Sequence, residues 1–221
     1  MSKTIAIIPA RGGSKRLPKK NLLELGGEPL IIHSINYAKN NLGIIDTIVV
    51  STDDPEIKKI ALQQGVEVVD RPDELSGDEA PTITALQHVL QNIDEDVREV
   101  VLLQATNPLR PEDLLKDAWK AYQQGFESLM SVTSNRQKFG RIKDGKFTPY
   151  NYSFGQRSQD MDPLYFENGL LYIAKADLVR KGTLLGELNL PFVIEHPYAY
   201  VDIDDAEDLA YAEFVMNRYN Q

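Results

Sequence analysis

An α/β fold, built on a mostly parallel sheet with helices on both faces, is what this sequence predicts, and three observations predict it. Short β-rich runs alternate with helical patterns through the first two thirds of the 221 residues. Several of those runs are apolar at consecutive positions, which suits strands buried on both faces of a parallel sheet. The alternation itself implies right-handed crossovers that lay helices on both sides of the sheet.

Residues 4–9, 47–52, 66–69, 99–104 and 128–132 read as strands. Between them, Ile31, Ile35 and Ala38 share one helical face, and Ile83, Leu86, Leu90 and Ile93 share another. Leu114, Ala118 and Tyr122 continue the pattern, with Pro111 placed where a first turn tolerates it. The rhythm breaks after about Ser134. Residues 141–147 give a hairpin signal, because Asp144-Gly145 suits a two-residue type I′ turn. Residues 151–163 are polar and irregular, 164–173 resume as strand, and 206–219 form the last helix, with Leu209, Ala212, Met216 and Tyr219 on one face. Neither a linker nor an internal repeat divides the chain. A single domain over residues 1–221, with an arm inserted at approximately 135–162, is therefore expected.

Composition narrows the function classes. Hydrophobic and charged residues, at 42% and 26%, are ordinary for a globular chain. Cysteine is absent, which removes disulfides, thiolate metal sites and cysteine nucleophiles together. His33, His88 and His196 are scattered, with no zinc or triad spacing. The net charge of −9 disfavours nucleic acid and anionic membrane as partners, since both are polyanions. The apolar stretch 5–10 is too short for a signal sequence or a membrane span, so a soluble, cytoplasmic protein is expected.

Against that acidic background one segment stands out: Ile8-Pro-Ala-Arg-Gly-Gly-Ser-Lys-Arg-Leu-Pro-Lys-Lys-Asn21. Arg11, Lys15, Arg16, Lys19 and Lys20 crowd together with no acid among them. The segment follows the first strand, where open α/β sheets bind ligands beyond the strand's carboxyl end. Gly12, Gly13 and Ser14 let backbone N–H groups approach an anion closely, as phosphate cradles require. The spacing is neither the Walker A nor the GxGxxG pattern. A solvated basic loop is the plainer reading; the order strand, glycines, cations favours phosphate.

A second pattern is Val201-Asp-Ile-Asp204. On an extended segment the two carboxylates point to one face, near enough to share a hard cation. Helix capping is the commoner fate of such acids, and Asp205, with Asp208 three residues on, reads as an N-cap. From the residues alone both readings stand. Arg71, taken by itself, reads as a surface arginine before a turn-forming proline.

Taken in order, the 8–21 segment, Ser51-Thr-Asp53, Arg71-Pro-Asp-Glu-Leu-Ser-Gly-Asp78, Leu103-Gln-Ala-Thr-Asn-Pro-Leu-Arg110, Glu167-Asn-Gly-Leu-Leu-Tyr172 and Val201-Asp-Ile-Asp-Asp205 resemble the sugar-acid cytidylyltransferases, and most closely the acylneuraminate (CMP-sialic acid type) group. The motifs span essentially the whole chain. The resemblance implies a Rossmann-like nucleotide-diphospho-sugar transferase fold and a dimerisation arm. It also implies a magnesium-dependent enzyme that couples CTP to a nine-carbon 2-keto sugar acid, sialic acid or a relative such as legionaminic acid, giving CMP-sugar and pyrophosphate.

By the same resemblance Arg11, Ser14, Lys20 and Asn21 contact phosphates and nucleotide, with Lys15 close by. Arg71 and the stretch from Ala80 to Thr82 read the cytosine, and Asp202 and Asp204 hold Mg²⁺. Gln104 and Asn107 lie at the sugar site, and Arg157 pairs with the sugar's carboxylate, for which a guanidinium is bidentately suited. Asn168 and Gly169 fall at a sugar-site turn, a simple Asn-Gly hairpin being the alternative. A homodimer with shared active sites is implied as well. Tyr165-Phe-Glu167 departs from the sialate pattern, which often carries arginine and proline there, and Phe166 is expected to add an apolar wall. Two rivals remain. A 3-deoxy-octulosonate cytidylyltransferase is suggested by Arg16-Leu-Pro18, and a non-catalytic nucleotide-binding module would not need the Asp202/Asp204 pair.

Overall fold

The structure is a computed structural model describing residues 2–219. Its strands are β1 (Lys3–Pro9), β2 (Glu24–Leu25), β3 (Glu28–Pro29), β4 (Thr47–Thr52), β5 (Glu67–Asp70), β6 (Val97–Leu102), β7 (Ser128–Asn135), β8 (Gly140–Lys143), β9 (Lys146–Pro149), β10 (Leu164–Lys175) and β11 (Asn189–Val193). Its helices are α1 (Leu30–Lys39), α2 (Pro55–Gln63), α3 (Thr82–Asn92), α4 (Leu114–Tyr122), α5 (Ala176–Arg180) and α6 (Ala206–Tyr219). Seven strands form one sheet in the order β11-β7-β10-β6-β1-β4-β5. β1 lies parallel to both β4 and β6, and β4 lies parallel to β5. β10 is antiparallel to β6 and β7, while β11 is parallel to β7.

Side-chain alternation in β1 builds both layers. Ile5 and Ile7 pack with Leu86 and Val89 of α3 and Val179 of α5. Ala6 and Ile8 belong to the opposite cluster, with Ile31 and Ile35 of α1, Ile57 of α2 and Leu115 of α4. Each large apolar side chain buried this way contributes about 1.5–3 kcal/mol. A third cluster, containing Leu25, Leu30, Tyr198, Val201, Ile203, Ala212 and Val215, seats α6 against the rest.

α2 and β11, like β2, β3 and α5, go beyond the sequence reading. α2 is capped by Asp54, whose Oδ1 accepts from Glu56 N at 2.7 Å and Ile57 N at 3.0 Å. It buries only Ile57 and Ala61, too few positions to make a strong period. β11 contains Pro191, which a sheet tolerates at its edge, where this strand lies. The β8–β9 hairpin turns at Asp144 (φ 50°) and Gly145 (φ 71°), both positive as type I′ demands. Residues 168–169 make no hairpin. β10 runs straight through them, and a bulge there shifts its register on β7 between Glu167 and Tyr172.

Candidate active site

The chain passes from β1 outward to β4 and β5, then returns to β6 on the other side of β1. That reversal is a topological switch point, and a crevice opens beyond the carboxyl ends of its strands. A cavity there is lined by Pro9, Arg11, Gly13, Ser14, Lys20 and Asn21 after β1. Arg71 and Asp78 after β5, Ala80 and Thr82 at the start of α3, and Gln104 to Thr106 after β6 complete it. Eight of the sequence-derived site residues thus meet in one cavity: Arg11, Ser14, Lys20, Asn21, Arg71, Ala80, Thr82 and Gln104.

The loop after β1 is anchored from several sides. Gly12 N donates to Asp53 Oδ1 at 2.9 Å, and a Cβ at Gly12 would come within 2.6 Å of Asp54 Oδ2, so only glycine fits that approach. Asn21 is buried and donates through Nδ2 to Arg11 O at 2.9 Å. Lys19 adopts φ 53°, which turns the chain into the short 3-10 segment Lys20–Leu22. Asp78 bridges two of the loop's cations, 2.8 Å from Arg11 Nη2 and 2.7 Å from Lys15 Nζ. The hydrogen bond from Lys15 is foremost in holding the Asp78 carboxyl below its ordinary range.

Arg71 is 8% exposed, which overturns its reading as a surface residue. Its Nε donates to Ser51 Oγ at 3.1 Å and its Nη2 to Ser51 O. Burial pushes the guanidinium's pKa down; Asp53 opposes that and Arg11 adds to it. A second buried arginine, Arg110, organises the loop after β6. Its three donors reach Leu170 O (2.7 Å), Ser34 Oγ (3.1 Å) and Gln104 O (2.8 Å), and the group lies over the Tyr37 ring. Desolvation pushes its pKa down to about 10.

The carboxylate segment is extended, although outside the sheet. Val201 and Ile203 are buried, so Asp202 and Asp204 face outward together. Lys20 Nζ lies 2.9 Å from Asp204 Oδ1 and Arg16 Nη2 3.2 Å from Oδ2. The Lys20 hydrogen bond is the main cause holding Asp204 below the usual carboxylate range. Asp202 moves the other way. The residue is exposed overall, yet packing around its carboxyl raises its pKa, a hydrogen bond from Thr106 opposes this, and the Asp204 charge adds to it. Asp205 caps α6 as expected: its Oδ1 accepts from Asp208 N at 3.0 Å, and Asp208 Oδ2 accepts from Asp205 N at 3.1 Å.

Asn107 and Asn168 are buried and tie these pieces together. Asn107 Nδ2 donates to Asn168 O at 3.1 Å and to Val201 O at 2.9 Å. Asn168 Nδ2 donates to Thr133 Oγ1 at 2.9 Å, while Asn168 Oδ1 accepts from Ser131 Oγ and Leu170 N. Gly169 sits at φ +75°, where a Cβ would meet Asn107 Oδ1 at 2.6 Å. Lys15 is 84% exposed at the rim. Arg157 stays in the arm, paired with Asp160 at 2.7 Å, and does not line the cavity. Phe166 does not line this cavity: it pairs with Thr133 on β7, and its ring lies 5.7 Å from that of Tyr200, centroid to centroid. The sequence reading gave Asp78, Arg110 and Glu167 no role, because their partners lie far along the chain or across the bulge.

The donor set at Asp202 and Asp204 suits a hard divalent cation. It consists of carboxylate oxygens only, and the Asp202 carboxyl has no cation within ion-pair distance among the described residues. No group of three acidic or histidine side chains gathers as a ready-made cage among the described residues. Magnesium commonly uses one or two carboxylates and completes its shell with water and phosphate oxygens.

The family model described as cytidylyltransferase matches residues 5–213. The chain is 37% identical over 221 residues to the N-acylneuraminate cytidylyltransferase of Streptococcus agalactiae serotype V, covering 93% of this chain and 51% of that protein. It is 34% identical to the pseudaminic acid cytidylyltransferase of Campylobacter jejuni subsp. jejuni serotype O:23/36, covering 96% of each. The chain therefore spans about half the length of the N-acylneuraminate relative and nearly all of the pseudaminic one. Among solved structures it is similar to CMP:2-keto-3-deoxy-manno-octonic acid synthetase complexed with CTP, with a TM-score of 0.72 and 17% identity, covering 98% of this chain and 99% of that one. No helix among the described residues is long and apolar enough to cross a membrane.

Proposed function

The chain belongs to the cytidylyltransferase family, and from that premise we propose that it couples CTP to a nine-carbon 2-keto sugar acid, giving CMP-sugar and pyrophosphate. One observation carries this reading: the basic loop, the Arg71 to Thr82 segment and Gln104 line a single cavity at the switch point. Lys20 reaches from that cavity to Asp204. The names of the relatives, N-acylneuraminate and pseudaminic acid cytidylyltransferase, support a nine-carbon acid.

In this reading Arg11, Lys20 and the glycine-loop amides receive the triphosphate, and Arg71 with Ala80 and Thr82 receives the base. The anomeric hydroxyl of the sugar attacks the α-phosphorus in line. The bond to the β-phosphate breaks, and charge grows on the leaving pyrophosphate. Fixed donors aimed at that charge lower the barrier, because they are already oriented before it develops. Asp202 and Asp204 would hold Mg²⁺. When bound, it would supply Lewis-acid neutralisation at the α-phosphate and ease loss of the hydroxyl proton. Lys20, freed from Asp204, would turn to the phosphates. Asn107, pinned between Asn168 and Val201, keeps the carboxylate segment in place.

The same reading makes the chain a cytoplasmic homodimer. Ile142, Tyr150 and Phe154 on the arm are 78%, 63% and 73% exposed, a surface that a second copy would cover. Arg157 would then serve the sugar carboxylate in the partner's site. The test is pyrophosphate release from CTP against a panel of eight- and nine-carbon 2-keto acids. A nine-carbon acid should win by at least about tenfold in kcat/KM, equivalent to roughly 1.4 kcal/mol. Equal use of 3-deoxy-octulosonate would assign the enzyme to that substrate instead, and no release with any acid would make the chain a nucleotide-binding module.

A further inference from the structure

Tyr172 pairs with Leu102, the last residue of β6, and β10 is antiparallel to that strand. The amino half of β10 therefore projects beyond the carboxyl end of β6, over the crevice. The bulge at residues 168–169 then decides which side chains face it. Glu167 pairs with Val132 and Tyr172 with Met130, five steps along β10 against two along β7. The odd excess reverses the parity of the strand, so Glu167 and Tyr172 share a face. Their contact agrees, for the Tyr172 hydroxyl donates to Glu167 Oε2 at 3.1 Å.

That face is the α3 side of the sheet, where Tyr172 packs with Leu86 and Leu102. Alternation from Ile7 to Pro9, and from Leu102 to Gln104, brings Pro9 and Gln104 of the cavity to the same side. Burial is the first cause pushing the Tyr172 phenol's pKa up, and the Glu167 carboxylate it donates to adds to that. Glu167 itself is exposed, and among the described residues no lysine or arginine pairs with it. Tyr172 engages Oε2 and leaves Oε1 without a protein partner among the described residues.

We infer that Glu167, oriented by Tyr172, is a specificity-determining residue of the acceptor site. It accepts a hydrogen bond from an N–H or O–H group of the sugar acid, and so selects acids that carry an acylamino or hydroxyl group on the carbon it faces over acids with hydrogen there. The inference rests on the sugar-acid reading above. A carboxylate on this wall also repels the substrate's own carboxylate, which turns that group toward the cationic side of the crevice. A donor lost against a charged acceptor should cost about ten- to a hundredfold in kcat/KM.

The test uses pyrophosphate release by the full chain with matched 2-keto sugar acids, in each of which one acylamino or hydroxyl group is replaced by hydrogen. The wild type should lose at least about tenfold in kcat/KM for one such position. In Glu167→Ala that position should become nearly indifferent, the change appearing in the KM for the sugar and not in the KM for CTP. Glu167→Gln, which keeps an acceptor oxygen without charge, and Tyr172→Phe, which frees the carboxylate, should fall between. If Glu167→Ala discriminates at every position as the wild type does, the inference is wrong while the cytidylyltransferase reading stands. If the wild type releases no pyrophosphate with any sugar acid, both are overturned.

Discussion

Arg11 and Lys20 were legible in the sequence because five cations without an acid, beside two glycines, are a local signal in a chain of net charge −9. Arg71 and Arg110 were not legible in the same way. Their burial depends on Ser51, twenty residues off, and on Leu170 and Ser34, sixty and seventy-six away. Replacing Arg11 or Lys20 by Ala should lower turnover by about 10²–10³, the usual effect of removing one charge-stabilising donor, as a pyrophosphate assay would read. The two acids of the 201–205 segment should answer pH oppositely. Asp204 has a depressed pKa, so its contribution to stability is present above its unfolded value near about 4 and is lost as pH falls through the folded value. Asp202 has a raised pKa, so the native state loses stability as pH rises from the unfolded value through the folded one. Thermal melts across this range should find Asp204→Asn destabilised at pH 7 and the deficit closing as pH falls below the ordinary aspartate range. Asp202→Asn should be as stable as wild type or more so at pH 7. Matching pH profiles for the two variants would disprove the assigned surroundings.

Among the elements, strands and helices with consecutive apolar or strongly periodic residues were readable, and α6 begins where its pattern does. The strand at residues 99–104 shifted to Val97–Leu102, since Gln104 O turns out of the ladder to accept from Arg110. The bulge in β10 was the hidden feature, because Asn-Gly in sequence signals a turn and only the buried partners of Asn168 hold it in a strand. That bulge sets which of Phe166 and Glu167 faces the crevice. Gly169→Ala should therefore cost about 1–2 kcal/mol in denaturant unfolding, from its positive φ alone, and more from the clash with Asn107. A variant of unchanged stability would mean that the bulge is not held as described.

For the molecule as a whole, the parallel half-sheet and its switch point followed from strand–helix alternation, whereas the pairing of β10 between β6 and β7 depended on contacts that no local pattern records. The arm was readable as a break in rhythm, and the proposed homodimer would give it a role. Sedimentation should give a dimer at micromolar concentration. Charged replacements at Ile142 and Phe154 should produce a monomer with a weakened sugar KM, and a fully active monomeric wild type would refute the shared-site account. In the proposed function the cavity beyond β1, β5 and β6 receives CTP. A crystal structure of the protein with CTP tests this most directly. The account predicts the triphosphate on the loop from Arg11 to Asn21, with the base between Arg71 and Thr82 and Asp78 displaced from Arg11 and Lys15. Nucleotide bound elsewhere, with the Asp78 bridges intact, would contradict it.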